Sequence, residues 1–131
     1  MKTQNPAVYV VEDSPIIRKL LIELIEGSGA RVVGTADTAK AAIADIAALH
    51  PDAVTIDIRL KAGTGFDVLE AIAINEGDPP VRIVLTNYTT DPYRAAAQGL
   101  DAEYFFDKAT QIREMLSVLA SLGDTQRAVA A

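Results

Sequence analysis

The chain has 131 residues, 50% of them hydrophobic and 23% charged, with 12 basic against 18 acidic residues and a net charge of −6. That length and composition predict one folded domain with a real core and leave no room in the chain for a second catalytic domain, while an acidic surface repels nucleic-acid phosphate and anionic lipid. The absence of cysteine excludes disulfides, thiolate zinc sites and cysteine nucleophiles, and no apolar stretch reaches the ~18 residues of a membrane span, so a soluble cytoplasmic protein with no direct nucleic-acid or membrane contact is expected.

Ala7 to Val11 reads as a first strand that runs into Glu12 and Asp13. Ser14 as N-cap and Pro15 at the first helical position announce a helix. Ile16, Ile17, Leu20, Leu21, Leu24 and Ile25 recur at helical spacing, and Gly27 and Gly29 stop it. Arg31 to Ala36 is the second strand; Asp37 or Thr38 caps an alanine-rich helix that ends at Leu49, ahead of His50 and Pro51. Asp52 to Ile56 is the third strand, ending at Asp57. A glycine-bearing polar loop, Ile58 to Gly65, leads into a helix whose apolar stripe is Phe66, Leu69, Ile72 and Ala73.

Asn75 to Pro80 is a turn, and Val81 to Leu85 a fourth strand that ends at Thr86. Asp91 and Pro92 open a short helix ending near Gly99, and Ala102 to Phe106 is the fifth strand, followed by Asp107 and Lys108. Thr110 caps a final helix with Ile112, Met115, Leu116 and Leu119 on one side. Residues 6–122 form the domain, and 123–131 is expected to be a flexible tail.

Strands alternating with helices predict an α/β fold in which right-handed β-α-β crossovers build a parallel sheet with helices on both faces. Such sheets bind ligands at the carboxyl edge of their strands. Glu12, Asp13, Asp57, Thr86 and Lys108 all fall there, although each alone reads as a helix cap, a strand-end polar residue or a surface lysine. Carboxylates crowded together repel unless a cation neutralises them, and hard oxygen donors suit magnesium. Asp57 is the candidate nucleophile toward phosphorus, and an ammonium and a hydroxyl facing the transferred group are what phosphoryl transfer asks for. His50, the single histidine, lies away from this edge and reads as a solvated or capping residue, and Gly63 and Gly65 do not make a dinucleotide fingerprint.

Glu12-Asp13, Asp57, Gly65, Thr86, Phe105 and Lys108 together resemble the signature of the receiver domain of two-component response regulators, over Pro6 to Leu122. The resemblance implies a flavodoxin-like, doubly wound five-stranded parallel sheet of order 2-1-3-4-5 with five helices, here in a stand-alone arrangement. It implies that Asp57 takes a phosphoryl group from the phosphohistidine of a sensor histidine kinase or a histidine phosphotransfer protein. Glu12, Asp13, Asp57 and the backbone carbonyl of Arg59 would hold Mg2+. Thr86 would hydrogen-bond the phosphoryl oxygens and Lys108 pair with them. Thr86 and Phe105 would form a switch that alters the surface of helix four, strand five and helix five, where a downstream protein would dock. On this reading the chain is a signalling module and not a dedicated enzyme. An aspartyl-phosphate phosphatase would carry a second aspartate at position 59, where Arg59 stands. A degenerate receiver that binds partners without phosphorylation is the competing reading.

The sequence departs from the family pattern where Ala109 follows Lys108 in place of the usual proline. A cis bond ahead of alanine costs about 2.5 to 4 kcal/mol, so a trans Lys108-Ala109 peptide and an altered loop are expected. Asn87 and Lys61 also depart from it. The resemblance implies that Arg59 and Tyr88, two residues beyond Asp57 and Thr86, would flank the path of hydrolytic water, and their bulk is expected to slow loss of the phosphoryl group.

Overall fold

The computed structural model describes residues 5–130, with side chains through residue 123. Strands and helices alternate throughout: β1 (Ala7–Val11), α1 (Pro15–Gly27), β2 (Arg31–Ala36), α2 (Ala39–Leu49), β3 (Ala53–Ile56), α3 (Gly65–Ile74), β4 (Val81–Thr86), α4 (Asp91–Gly99), β5 (Tyr104–Asp107) and α5 (Ile112–Ala130). The five strands pair in parallel, in the order β2-β1-β3-β4-β5. The chain thus steps outward from β1 on one side and returns past it to build the other, so the switch point lies between β1 and β3.

Side-chain alternation along the strands divides the interior into two layers. Tyr9, Val11, Val54, Ile56 and Val84 face α2, α3 and α4 through Ala42, Ile46, Val68, Leu69, Ile72 and Ala97. Val8, Val10, Ala53, Ile83 and Leu85 face Leu21 and Ile25 of α1 and Met115 and Leu119 of α5. Both faces of the central strands are therefore covered, which is why β1 and β3 read as continuous apolar runs instead of alternating ones. Between β1 and β2 the register slips by one residue after Val8, pairing Tyr9 with Gly34. A Cβ on Gly34 would stand 2.8 Å from the Tyr9 ring. The Tyr9 hydroxyl, at the end of a fully buried ring, donates to Asp45 Oδ2 at 2.6 Å. Burial and this acceptor hold the phenol well above its ordinary pKa.

The helix starts follow local chemistry. Ser14 Oγ accepts from Ile17 N–H ahead of Pro15, and Thr38, not Asp37, caps α2 by accepting from Ala41 N–H. Thr64 and Asp67 form a reciprocal capping box on α3, a Thr-x-x-Asp pattern the sequence reading passed over. His50 ends α2 in the left-handed region, its N–H donating to Ile46 O, in keeping with the capping role expected of it.

Several boundaries differ from expectation. β5 begins at Tyr104 and not Ala102, because Ala102 N–H is taken by Ala97 O at the close of α4. β4 extends through Thr86, which pairs with Asp107. β3 starts at Ala53, leaving Asp52 to accept from Ala7 N–H through its carboxylate. α1 continues through Gly27 to a Ser28 cap, and Gly29, at φ 101°, makes the turn. Thr110 is not the cap of α5: the helix opens at Ile112, so Gln111 is the residue that precedes it and its C=O accepts from Met115 N–H, while Thr110 N–H donates to Asp107 O inside the preceding turn. That helix runs on through Ala130, into the expected tail; side chains of 124–131 lie outside the described residues. Among the described residues no peptide bond is cis, as expected for Lys108-Ala109.

Candidate functional site

The ladder continues one residue beyond β1 and β3: Glu12 N–H donates to Ala36 O and Asp57 N–H to Val11 O, each at 3.0 Å. This fixes both carboxylates at the carboxyl edge beside the switch point. Glu12 is 1% exposed and Asp57 5%, whereas the neighbouring Asp13 is exposed. Lys108, arriving from the far end of β5, places its Nζ 2.7 Å from Glu12 Oε1 and 2.5 Å from Asp57 Oδ2. Lys108 N–H also donates to Thr86 O at 2.9 Å, tying its backbone to β4.

The electrostatics of this group are tightly coupled. Burial pushes the Glu12 carboxyl above the ordinary range, partly offset by Lys108 and by the Ser14 N–H and reinforced by the Asp57 charge. Burial also works against the Lys108 ammonium, but hydrogen bonds to Asp57 and Glu12 outweigh it and hold its pKa above that of an ordinary lysine. The two directions conflict, since the first favours a protonated Glu12 and the second an ion pair. Geometry decides for the ion pair: Glu12 Oε1 accepts from Lys108 and Oε2 from Ser14 N–H at 3.0 Å, so neither oxygen needs a proton to satisfy a neighbour.

The opposite side of the cluster is under-satisfied. Asp57 Oδ1 is buried with no hydrogen-bond partner. Glu12, Asp13 and Asp57 each offer one oxygen, all within 4.8 Å of one another. Three carboxylates facing one ammonium leave an excess of negative charge, and an orphaned buried oxygen in their midst is a donor set suited to a divalent cation.

Thr86 is fully buried and its Oγ1 accepts from Tyr88 N–H at 3.2 Å, which leaves the hydroxyl proton for another acceptor. Thr86 lies two residues beyond Val84, the register partner of Phe105, so Thr86 and Phe105 share a face of the sheet. The half-buried Phe105 ring carries the Arg94 guanidinium 4.6 Å from its centroid, and Arg94 Nε donates to Thr89 O at 2.9 Å. The Arg59 guanidinium sits 5.1 Å from the centroid of Tyr88, whose ring contacts Tyr93. Gly65 N–H donates to Ile58 O at 2.7 Å, and a Cβ there would collide with the Asp57 carbonyl oxygen and lie 2.9 Å from Ile56 Cγ2. Only glycine lets α3 begin that close to the Asp57 backbone.

The structure thus brings Glu12, Asp13, Asp57 and Lys108 into one cluster and sets Thr86 on the adjacent strand end. Arg59 directs its side chain to Tyr88. Asp107 and Gln111, which the sequence reading did not single out, close the turn that carries Lys108.

Comparison with known proteins places this arrangement. Among curated proteins, the protein-glutamate methylesterase/protein-glutamine glutaminase 3 of Hahella chejuensis is 36% identical over 95 residues, 72% of this chain but 27% of that protein. The chain spans about a quarter of the length of the curated relatives it matches. Among solved structures, the response regulator domain of Thermotoga maritima CheB superposes with a TM-score of 0.79 at 24% identity, covering 94% of this chain and 96% of that one. The receiver domain of a sensor histidine kinase of Pseudomonas aeruginosa, solved with a magnesium ion coordinated in its active site cleft, gives 0.79 at 20% identity, covering 92% and 98%. These two establish the fold. The family model described as "Response regulator receiver domain" matches residues 8–120, from within β1 into α5 and across the whole acidic cluster, and the chain belongs to that family.

Proposed function

We propose that Asp57 is the phosphoacceptor of a phosphorylation-controlled signalling domain, with a sensor histidine kinase or a histidine phosphotransfer protein as donor. The observation that carries this reading is the asymmetry of the Asp57 carboxylate: Oδ2 is held by Lys108 while Oδ1 is buried and unpartnered. An oxygen of Asp57 attacks phosphorus, the P–N bond of phosphohistidine breaks as the P–O bond of the acyl phosphate forms, and the leaving imidazole recovers its lone pair and takes up a proton. Glu12, Asp13, Asp57 and the Arg59 carbonyl would hold Mg2+, which when bound neutralises charge on the transferred group.

Lys108 pairs with the incoming phosphoryl oxygens, and Thr86 donates its free hydroxyl proton to them. The new charge, roughly 1.5 to 2 negative units, biases the position of Thr86 and with it Phe105 on the same face, altering the α4-β5-α5 surface met by a downstream protein. The names of the curated relatives carry esterase and glutaminase activities; we assign this chain the signalling role and not those activities. A cytoplasmic setting follows from such partners, and no helix among the described residues is long and apolar enough to cross a membrane. The phosphorylation-independent alternative is not favoured, because it gives the intact cluster of Glu12, Asp13, Asp57 and Lys108 nothing to do.

The test is intact-mass measurement after incubation with Mg2+ and a small phosphodonor. A single phosphoryl adduct is expected on the parent and none on Asp57→Asn; an unmodified parent overturns the proposal. Followed after donor removal, the adduct is expected to decay faster in Arg59→Ala and Tyr88→Ala, whose parent side chains stack on one another. Parent-like decay in both removes their shielding role.

A further inference from the structure

The loop that delivers Lys108 lacks a proline at 109, yet its lysine is aimed at two carboxylates at once. Hydrogen bonds account for this. Asp107 Oδ1 accepts from Ala109 N–H at 2.8 Å, a donor that a proline could not supply. Asp107 O accepts from Thr110 N–H at 3.2 Å and Gln111 N–H at 2.8 Å, and Gln111 Oε1 returns the bond by accepting from Asp107 N–H at 2.8 Å. The turn is therefore closed around Lys108 from both sides, by a side-chain-mimicked turn at Asp107 and a reciprocal Asp107–Gln111 pair.

We infer that Asp107 and Gln111 are positioning residues for Lys108, fixing by hydrogen bonds the loop geometry that proline would otherwise restrict. The need is physical. Lys108 reaches the site on a flexible four-carbon stem, and small errors in the placement of a charge facing a reacting group cost rate steeply. Its own N–H holds the entry to the turn at Thr86 O, but everything after Lys108 depends on the Asp107 and Gln111 contacts until α5 begins at Ile112. The Asp107 carboxylate is occupied by Ala109 N–H and, among the described residues, makes no hydrogen bond to the acidic cluster, so it acts through Lys108.

The inference rests on the role proposed for Lys108, and one double-mutant cycle separates the two. The rate of phosphorylation by a small phosphodonor with saturating Mg2+ is measured for the parent, Asp107→Ala, Asp107→Asn, Gln111→Leu, Lys108→Ala and Asp107→Ala/Lys108→Ala. Asp107→Ala and Gln111→Leu are expected to slow the reaction on the order of 10-fold, and Asp107→Asn, which keeps the acceptor oxygen, to restore most of it. The double variant is expected to be no slower than Lys108→Ala alone, because residues acting through one group are not additive. A slow Lys108→Ala beside parent-like rates for Asp107→Ala and Gln111→Leu overturns this inference alone, as do additive losses in the double variant. A parent-like rate for Lys108→Ala overturns the Lys108 role and the inference with it. Should Asp107→Ala fail to fold, Gln111→Leu carries the same comparison.

Discussion

Lys108 shows how much a single residue draws from its surroundings. Its ammonium stays charged because Asp57 and Glu12 outweigh the cost of burial, so the proton is bound more tightly in the folded chain than in the unfolded one. A raised folded pKa means that the stabilisation is complete below the unfolded lysine value of 10.5 and is lost as pH rises through the folded value. Tyr9 acts in the same direction: its folded phenol keeps a proton that the unfolded chain releases around 10.0. Denaturant midpoints of the parent are therefore expected to fall steeply above about pH 10, with Lys108→Met and Tyr9→Phe each flattening part of that fall. Identical alkaline slopes in all three would show that neither proton is held by the fold. The sequence exposed Lys108 through its place after a strand, whereas the partners that hold it were hidden. Asp107 and Gln111 look like ordinary loop residues until their backbone geometry is known, and Glu12 and Asp13 differ sharply in burial though adjacent in the chain.

At the level of elements, existence was legible and edges were not. Every strand and helix was readable because apolar period and turn residues agree, and because buried parallel strands leave uninterrupted runs such as AVYVV. Edges moved where a backbone hydrogen bond outside the pattern decided the outcome, as at Ala102 and Thr110. The start of α3 gives a direct test of local chemistry. Thr64→Ala removes one half of the capping box, exposed to solvent, and is expected to cost about 1 kcal/mol. Gly65→Ala, one residue later, forces a Cβ against the Asp57 carbonyl oxygen and the Ile56 side chain, so it should cost distinctly more and displace the Asp57 backbone. Urea denaturation of both variants ranks the two effects. A Gly65→Ala variant as stable as Thr64→Ala would mean that α3 can shift away from β3 freely.

For the molecule as a whole, the acidic cluster links the site to global stability. Its chemistry was legible because parallel topology alone carries strand ends to one edge, but the charge imbalance that drives cation binding appears only once Lys108 is seen to neutralise one carboxylate and Asp57 Oδ1 is seen to be orphaned. A cation that binds the folded chain and not the unfolded one stabilises by mass action, about 2.7 kcal/mol at a hundredfold excess over Kd. Mg2+ is therefore expected to raise the thermal midpoint of the domain in a concentration-dependent way. Asp13→Asn is the informative variant, because Asp13 is exposed and its loss removes a ligand oxygen without opening the core. Without metal the variant should melt no lower than the parent, since one repelling charge is gone; with Mg2+ its gain should shrink toward zero. Calorimetric scans across a Mg2+ series decide the matter. Equal gains in parent and variant would exclude Asp13 from the cation site, and no gain in either would leave the orphaned oxygen of Asp57 to be satisfied by the phosphoryl chemistry alone.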